Sequence, residues 1–242
     1  MPEASMNMSL TDSRSVWRKM KTLKIGLVLV LGLSIVASEP VTKPPPKDID
    51  TENPCQNGGS FVETSGEEES YKCDCPAGYP GSHCEGRSCT FEIKNDPACF
   101  LDTRGATKAW RRTNKQTSSR TGPQRAFEGQ FYYYFDASNN AVGEEHVILD
   151  DGILFEDKVH CLSLYYHMKG RSMGTFAIYT LKTSYVEHFS ISGNQGNRWY
   201  KLELDLPLDE DTHIAVKAVN GYSFESNIAI DDVTLMPKPC SD

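Results

Sequence analysis

Between positions 200 and 206 the chain reads Tyr200-Lys201-Leu202-Glu203-Leu204-Asp205-Leu206. Apolar and charged side chains alternate one for one, which gives an extended strand one apolar face and one wet face. The same rhythm returns downstream. Ile214, Val216 and Ala218 share one side of a run whose other side carries His213 and Lys217. Upstream, Phe131–Phe135, Leu162–Met168 and Thr175–Leu181 are rich in aromatic and β-branched residues and read as further strands. Gly170, Gly193, Gly196 and Asn220-Gly221 punctuate these runs as turns. No stretch shows a convincing apolar repeat at helical spacing. Many strands with turns between them predict a mainly β chain, an antiparallel sandwich of two sheets. The roughly 150 residues available are enough for one such core.

The eight cysteines fall into two blocks: Cys55, Cys73, Cys75 and Cys84, then Cys89, Cys99, Cys161 and Cys240. An even count, an apolar segment upstream and no paired metal-type CxxC spacing predict disulfides formed in an oxidising compartment. Four cysteines alone leave three connectivities open.

The N-terminus points to the same compartment. Arg14, Arg18, Lys19, Lys21 and Lys24 precede the uninterrupted apolar run Ile25–Ala37, followed by a small-residue exit. Basic region, short apolar core and small residues form a secretory signal pattern, assigned here to residues 1–38, with Val36 and Ser38 placing the cut before Glu39. As a helix the run would be roughly 20 Å long, short of the ~30 Å hydrocarbon core. Two other readings stand beside cleavage: initiation at Met20, or retention as a type II signal anchor, the one route to membrane contact. In each case the residues after Glu39 face the outside. Residues 39–54, EPVTKPPPKDIDTENP, hold five prolines and read as a solvated, extended linker.

The whole chain has 25 basic and 33 acidic residues, a net −8; without residues 1–38 it has 20 against 31, a net −11. Such a chain is poorly suited to nucleic acid or to anionic lipid through its net field, and tolerates cations well.

From Cys55 the text CQNGGSF, then YKCDCPAGYPGSHCE, resembles the EGF-like family, and residues 55–85 are assigned to such a module. Gly58, Gly59, Gly78 and Gly81 are expected to make turns with positive φ, and Tyr79 to cover the final disulfide. The family has six cysteines. Here Phe61 stands at the third position and no cysteine precedes Cys55, so one whole bridge is missing and no thiol is stranded. The resemblance then implies Cys55–Cys73 and Cys75–Cys84. A module short of one bridge is expected to lean on its neighbour, and Phe61 to fill vacated space. Only four residues separate Cys84 from Cys89, so the two modules are expected to abut. Calcium binding is disfavoured here: the acidic remnant Asp48-Ile49-Asp50 is present, but Gly66 occupies the position five before Tyr71 where an acid or amide is needed. Ser60 lacks the following cysteine that O-fucosylation requires, and growth-factor activity needs all three bridges.

Residues 88–241 carry a second resemblance. SCTFE at the start, RTGP at 120–123, CLSLYYHMKG at 161–170, SGNQGNRWY at 192–200, and NIAIDDVTL with the closing Cys240 occur in the order of the MAM domain family. Those domains are extracellular jelly-roll sandwiches of meprins, neuropilins and receptor tyrosine phosphatases. The resemblance implies Cys89–Cys99 and Cys161–Cys240, and places Trp110 and Trp199 at core positions.

The candidate metal ligands are Glu92, Asp231 and Asp232, with Asp102 added. By alternation Asp232 shares a face with Ile228 and Ile230 and is expected to point inward, where an unpaired charge is costly. Some MAM domains hold a cation near the opening Glu and the final acidic pair, so the resemblance implies a structural Ca²⁺ or Na⁺ held by oxygens. The competing reading is a hydrogen-bonded acid or a salt bridge to Arg125 or another arginine, since GATKAW lacks the usual acidic run and Arg125-Ala126 replaces an Asp after TGP. No cofactor is otherwise required.

Catalysis finds little support. Gly170-Arg171-Ser172-Met173-Gly174 matches a nucleophile-elbow string, but that elbow needs strand, turn and helix, and here it joins two β-type runs as an expected hairpin. His83, His146, His160, His167, His188 and His213 show no HExxH pattern and no paired metal spacing. Two functional classes remain. One is a secreted adhesion or matrix protein, mineralised matrix included, whose sandwich binds an extracellular protein or glycoprotein or a second copy of itself. The other is a soluble ligand or modulator of a cell-surface receptor acting through the EGF-like module.

Overall fold

The computed structural model describes residues 53–64, 70–104 and 109–241. The expectations for the signal segment 1–38, the linker over 39–52, Asp48, Asp50, Gly66 and the first four residues of GATKAW lie outside the described residues. Among the described residues there are twelve strands and no helix.

The small module opens with a hairpin of β1 (Ser60–Thr64) and β2 (Ser70–Asp74), in register Phe61 opposite Cys73. Disulfides Cys55–Cys73 and Cys75–Cys84 close it. Its core is Cys55, Cys73 and Cys84, with Phe61, Cys75 and Tyr79 packed around them. Phe61 stacks on Tyr71 with ring centroids 5.2 Å apart, so the residue at the missing cysteine supplies apolar surface there. Gly58, Gly78 and Gly81 take positive φ, whereas Gly59 does not. Gly59 answers to space instead: a Cβ on it would lie 2.6 Å from Cys84 Sγ.

The modules abut. Ser88 donates its N–H to Gly78 O at 2.9 Å and its hydroxyl to the same oxygen at 3.2 Å. A Cβ on Gly78 would come within 2.3 Å of Ala98 Cβ.

The sandwich is built from two antiparallel sheets. The first runs β10 (Trp199–Leu208), β7 (Lys158–Met168), β12 (Ile228–Met236), β5 (Tyr132–Phe135), β4 (Trp110–Thr113), with β3 (Arg87–Cys89) also paired to β12. The second runs β6 (Glu145–Leu149), β11 (His213–Val219), β8 (Thr175–Leu181), β9 (Tyr185–Ser192). On β10 the expected alternation holds: Leu206 and Leu208 are buried, Tyr200, Leu202 and Leu204 pack on the core, and Lys201, Glu203 and Asp205 are exposed. Ile214, Val216, Phe176 and Ile178 of one sheet share that core with Leu164, Met168, Ile228 and Ile230 of the other. Disulfides Cys89–Cys99 and Cys161–Cys240 are formed.

Three expectations need correcting. The alternation on β12 is interrupted by a bulge between Asp231 and Thr234, and Asp232 takes φ +48°. Val233 and Leu235 thereby regain the core face, Asp232 is only half-buried, and the deeply buried acid is Asp231, on the opposite face. Residues 170–174 are not a hairpin: they carry the chain from β7 in one sheet to β8 in the other. Trp110 is a core residue at 4 % exposure. Trp199 is not; it packs outside the first sheet with Ala126, Tyr132 and Ala229, beneath the long segment that joins β4 to β5.

Candidate functional site

Three of the four expected ligands, Glu92, Asp231 and Asp232, line one cleft of about 280 Å³ together with Thr90, Glu128 and Gly129. Asp102 lies elsewhere, its carboxylate turned to the Arg104 N–H at 3.0 Å and its own N–H bonded to Leu149 O. Leu101 bridges to Asp150, which draws that segment toward the other sheet. Glu128 escaped the sequence reading because nothing local marks it; it reaches the cleft through a loop a hundred residues upstream of Asp231.

The cleft is already supplied with donors. Asp231 Oδ2 accepts the N–H groups of Phe127 (2.8 Å) and Glu128 (3.3 Å), and Oδ1 accepts that of Asp232 (2.9 Å). Glu92 Oε1 accepts from Gln130 (2.9 Å) and Phe131 (2.7 Å). Gly129 sits at φ +62°, and a Cβ there would lie 2.5 Å from Glu92 Oε1. The two carboxylates therefore pin the 127–131 turn with backbone amides. Burial pushes the Asp231 carboxyl up to about 7, against the pull of its three amides and with Asp232's charge adding to the rise. Asp232 is also raised, by burial and then by Glu128's charge, while Lys201 opposes. Among the described residues Arg125 forms no salt bridge to the group; its carbonyl accepts the Trp199 indole N–H at 3.3 Å. Arg112 instead bonds to the carbonyls of Phe91 and Glu92 and lies 3.3 Å over the Phe131 ring. Among the described residues no three acidic, histidine or cysteine side chains are grouped as a metal ion needs. Asp231's two oxygens already take three amides, which leaves that carboxylate little free acceptor capacity for a cation.

The loops at the other candidate surface come together where β7, β11 and β5 end and β8, β10, β12 and β6 begin. A Cβ on Gly221 would fall 1.5 Å from Ser172 O, and one on Gly174 1.9 Å from Val219 O, so two backbones touch where only glycine fits. Ser226 Oγ accepts the N–H groups of both Gly174 and Gly221. Asn220 donates to Asn140 O and Ala141 O, and Asn227 accepts from Ala137 while its N–H donates to Thr121 Oγ1. On this locked base stand Tyr222 at 83 %, Val142 at 63 % and Phe224 at 49 % exposure. Exposed aromatic side chains on a fixed backbone are the kind that anchor protein interfaces.

The remaining chemical candidates are placed as follows. Ser172 Oγ meets Ser223 Oγ at 2.6 Å, with no histidine in contact. His167 is buried, its Nε2 facing Asn197 Oδ1 at 3.2 Å, and burial lowers it to about 4, which keeps it neutral at physiological pH. His213 Nδ1 lies 3.1 Å from the buried Asp150 carboxylate, which also accepts the Ile214 N–H. His146 faces Glu144, His188 faces Thr180, His160 faces the Lys158 carbonyl, and His83 faces Tyr71.

Comparison with known proteins gives matches over most of the chain. The family model described as MAM domain, meprin/A5/mu, matches residues 89–241, and an EGF-like domain model matches residues 51–83. Human MAM domain-containing protein 2 is 29 % identical over 160 residues, covering 64 % of this chain and 23 % of that protein. Thyroid hormone-induced protein B of Xenopus laevis is 29 % identical over 162 residues, covering 64 % and 23 %. MAM domain-containing glycosylphosphatidylinositol anchor protein 1 of Gallus gallus is 28 % identical over 179 residues, covering 68 % and 18 %. The chain thus spans about a fifth to a quarter of the length of these relatives. Among solved structures, the K2 cleaved adhesin domain of Lys-gingipain aligns with a TM-score of 0.43 at 16 % identity, covering 62 % of this chain and 99 % of that one.

Proposed function

The chain belongs to the MAM family, its MAM domain preceded by an EGF-like one, and from that premise we propose a secreted, non-enzymatic adhesion protein of the extracellular matrix. It works through protein–protein contacts of the sandwich, with a second copy of itself or with another extracellular glycoprotein. The observation that carries this reading is the locked loop end presenting Tyr222, Phe224 and Val142 to solvent. Exposed rings on a mobile loop would lose ordering entropy on binding; here the glycine contacts and the Asn220, Ser226 and Asn227 bonds have already fixed the backbone. Four disulfides and two families of extracellular module support the location.

Sedimentation of the secreted chain tests the reading. Concentration-dependent dimers are expected, and Tyr222→Ser with Phe224→Ser should abolish them without moving the melting temperature. A wild-type chain that stays monomeric at every concentration and instead activates a receptor on cells would put the soluble-ligand reading in its place.

A further inference from the structure

The contact surface above borders a second feature that the adhesion reading does not use. Three loops, 117–125, 169–174 and 193–198, contain Arg120, Arg125, Lys169, Arg171 and Arg198 and not one Asp or Glu, in a chain that beyond residue 38 carries a net −11. Hydrogen bonds hold the three loops side by side as a basic ridge. Gly122 donates to Lys169 O at 3.0 Å, Lys169 Nζ to Ser119 O at 3.0 Å, and Gln195 to Met168 O at 2.8 Å. The Trp199 indole, bonded to Arg125 O, ties the first loop to the third. Among the described residues, Arg125, Lys169, Arg171 and Arg198 form no salt bridge, and Arg198 lies 4.4 Å over the Tyr200 ring. Of the carboxylates nearby, Glu225, buried, pairs with Arg120 at 3.1 Å, Asp136 pairs with Arg111 at 3.2 Å, and Glu144 faces His146 and the Ala141 N–H, while exposed Glu128 follows the first loop and lies by Asp232.

Gathering five like charges, of which only Arg120 is paired among the described residues, costs repulsion that an otherwise acidic chain had ready means to cancel. We infer that this ridge is a binding site for a linear sulfated polysaccharide. The chemistry favours that class over an acidic peptide. Every exposed side chain of the three loops is polar, so within the ridge itself there are none of the apolar anchor points that peptide recognition uses; the nearest, Phe224, lies under Arg120 at its edge. It offers instead forked guanidinium groups for sulfate, and Asn194, Asn197 and Gln124 amides for sugar hydroxyls. An extended polyanion needs no pocket, only cations spaced along its length, and its affinity falls steeply with salt as counterions are released.

Binding of the full secreted chain to immobilised heparin tests the inference. The wild type is expected to bind at physiological salt, weakening roughly 50-fold to 150-fold between 50 and 200 mM NaCl if about four cations engage. The triple variant Arg125→Glu, Arg171→Glu, Arg198→Glu should lose binding and keep its melting temperature; the corresponding triple substitution to Lys should keep most of the binding and guards against a folding artefact. Desulfated heparin and polyglutamate should both bind far more weakly. Retained binding in the Glu variant, or polyglutamate matching heparin, overturns the assignment. The adhesion reading is read out separately: dimers that persist in the Glu variant leave it standing whichever way heparin behaves.

Discussion

The small module and the sandwich are held together by the same covalent device in opposite circumstances. In the small module the sulfurs are the core: three buried half-cystines, with Phe61, Cys75 and Tyr79 around them. In the sandwich, Cys89, Cys99 and Cys161 are a minor part of an interior dominated by Phe135, Leu164, Met168, Phe176, Ile178, Ile214 and their neighbours. A bridge that closes a long loop restricts the unfolded chain more than one that closes a short loop. The free energy of a disulfide and its structural importance are therefore separate quantities, and here they rank in opposite order.

The largest free-energy change should come from Cys161→Ser with Cys240→Ser. That bridge closes a separation of 79 residues, for which loop closure gives about 4–5 kcal/mol. The sandwich should nevertheless stay folded at 25 °C, with its near-ultraviolet spectrum intact and a lowered denaturation midpoint. Complete loss of the β signal would show that its apolar core is weaker than its burial implies. Cys55→Ser with Cys73→Ser closes a separation of only 18 residues, worth about 3 kcal/mol. Yet it should erase the small module altogether, seen as rapid hydrogen exchange confined to residues 53–86. Protection persisting there would mean that the neighbour, not sulfur, supplies the fold.

Gly78→Val probes how far the small module leans. The position has φ +87°, and its Cβ would collide with Ala98. Strain and crowding of about 1–3 kcal/mol should fall on the junction. Two separate unfolding transitions are expected in place of one, and a single unshifted transition would remove the argument for coupling.

These contrasts were unevenly legible in the sequence. The β10 strand announced its faces because Lys, Glu and Asp alternate with Leu, and the hydrophobic effect then leaves one choice of inside. The Asp231-Asp232 pair misled because parity cannot foresee a bulge; only Val233 and Leu235 resuming the core face reveals the skipped residue. Trp199 read as a core position, but burying it against the outer face depends on the 114–131 segment folding across β7, with Phe127 stacked on Tyr165 at 3.5 Å. The basic ridge was invisible for a related reason. Its cations are spread over nearly eighty residues of sequence and meet only because one sheet's strand ends lie side by side.

The acidic cleft gives the most discriminating effect. Asp231 is raised from 3.8 to about 7 when folded, so between those values the folded chain binds more protons than the unfolded one. Stability should therefore fall as pH climbs from about 4 to 7 and then level off. Asp231→Asn removes that slope, and because an amide cannot accept on both sides, it should cost about 1–3 kcal/mol at the Phe127–Asp232 donors. If the slope survives in the Asn variant, the titrating group is elsewhere. Calcium separates the two readings of the same cleft. A bound ion at ten times its Kd would add about 1.4 kcal/mol and would pull Asp231 down toward ordinary carboxylate values, abolishing the pH slope. With Asp231 Oδ1 and Oδ2 already turned to backbone N–H groups, millimolar calcium should change neither the melting temperature nor the slope. A calcium-dependent rise in melting temperature, lost in Asp231→Asn, would mean that the 127–131 turn opens to admit the ion, and that its amides are placeholders rather than the permanent partners of the acid.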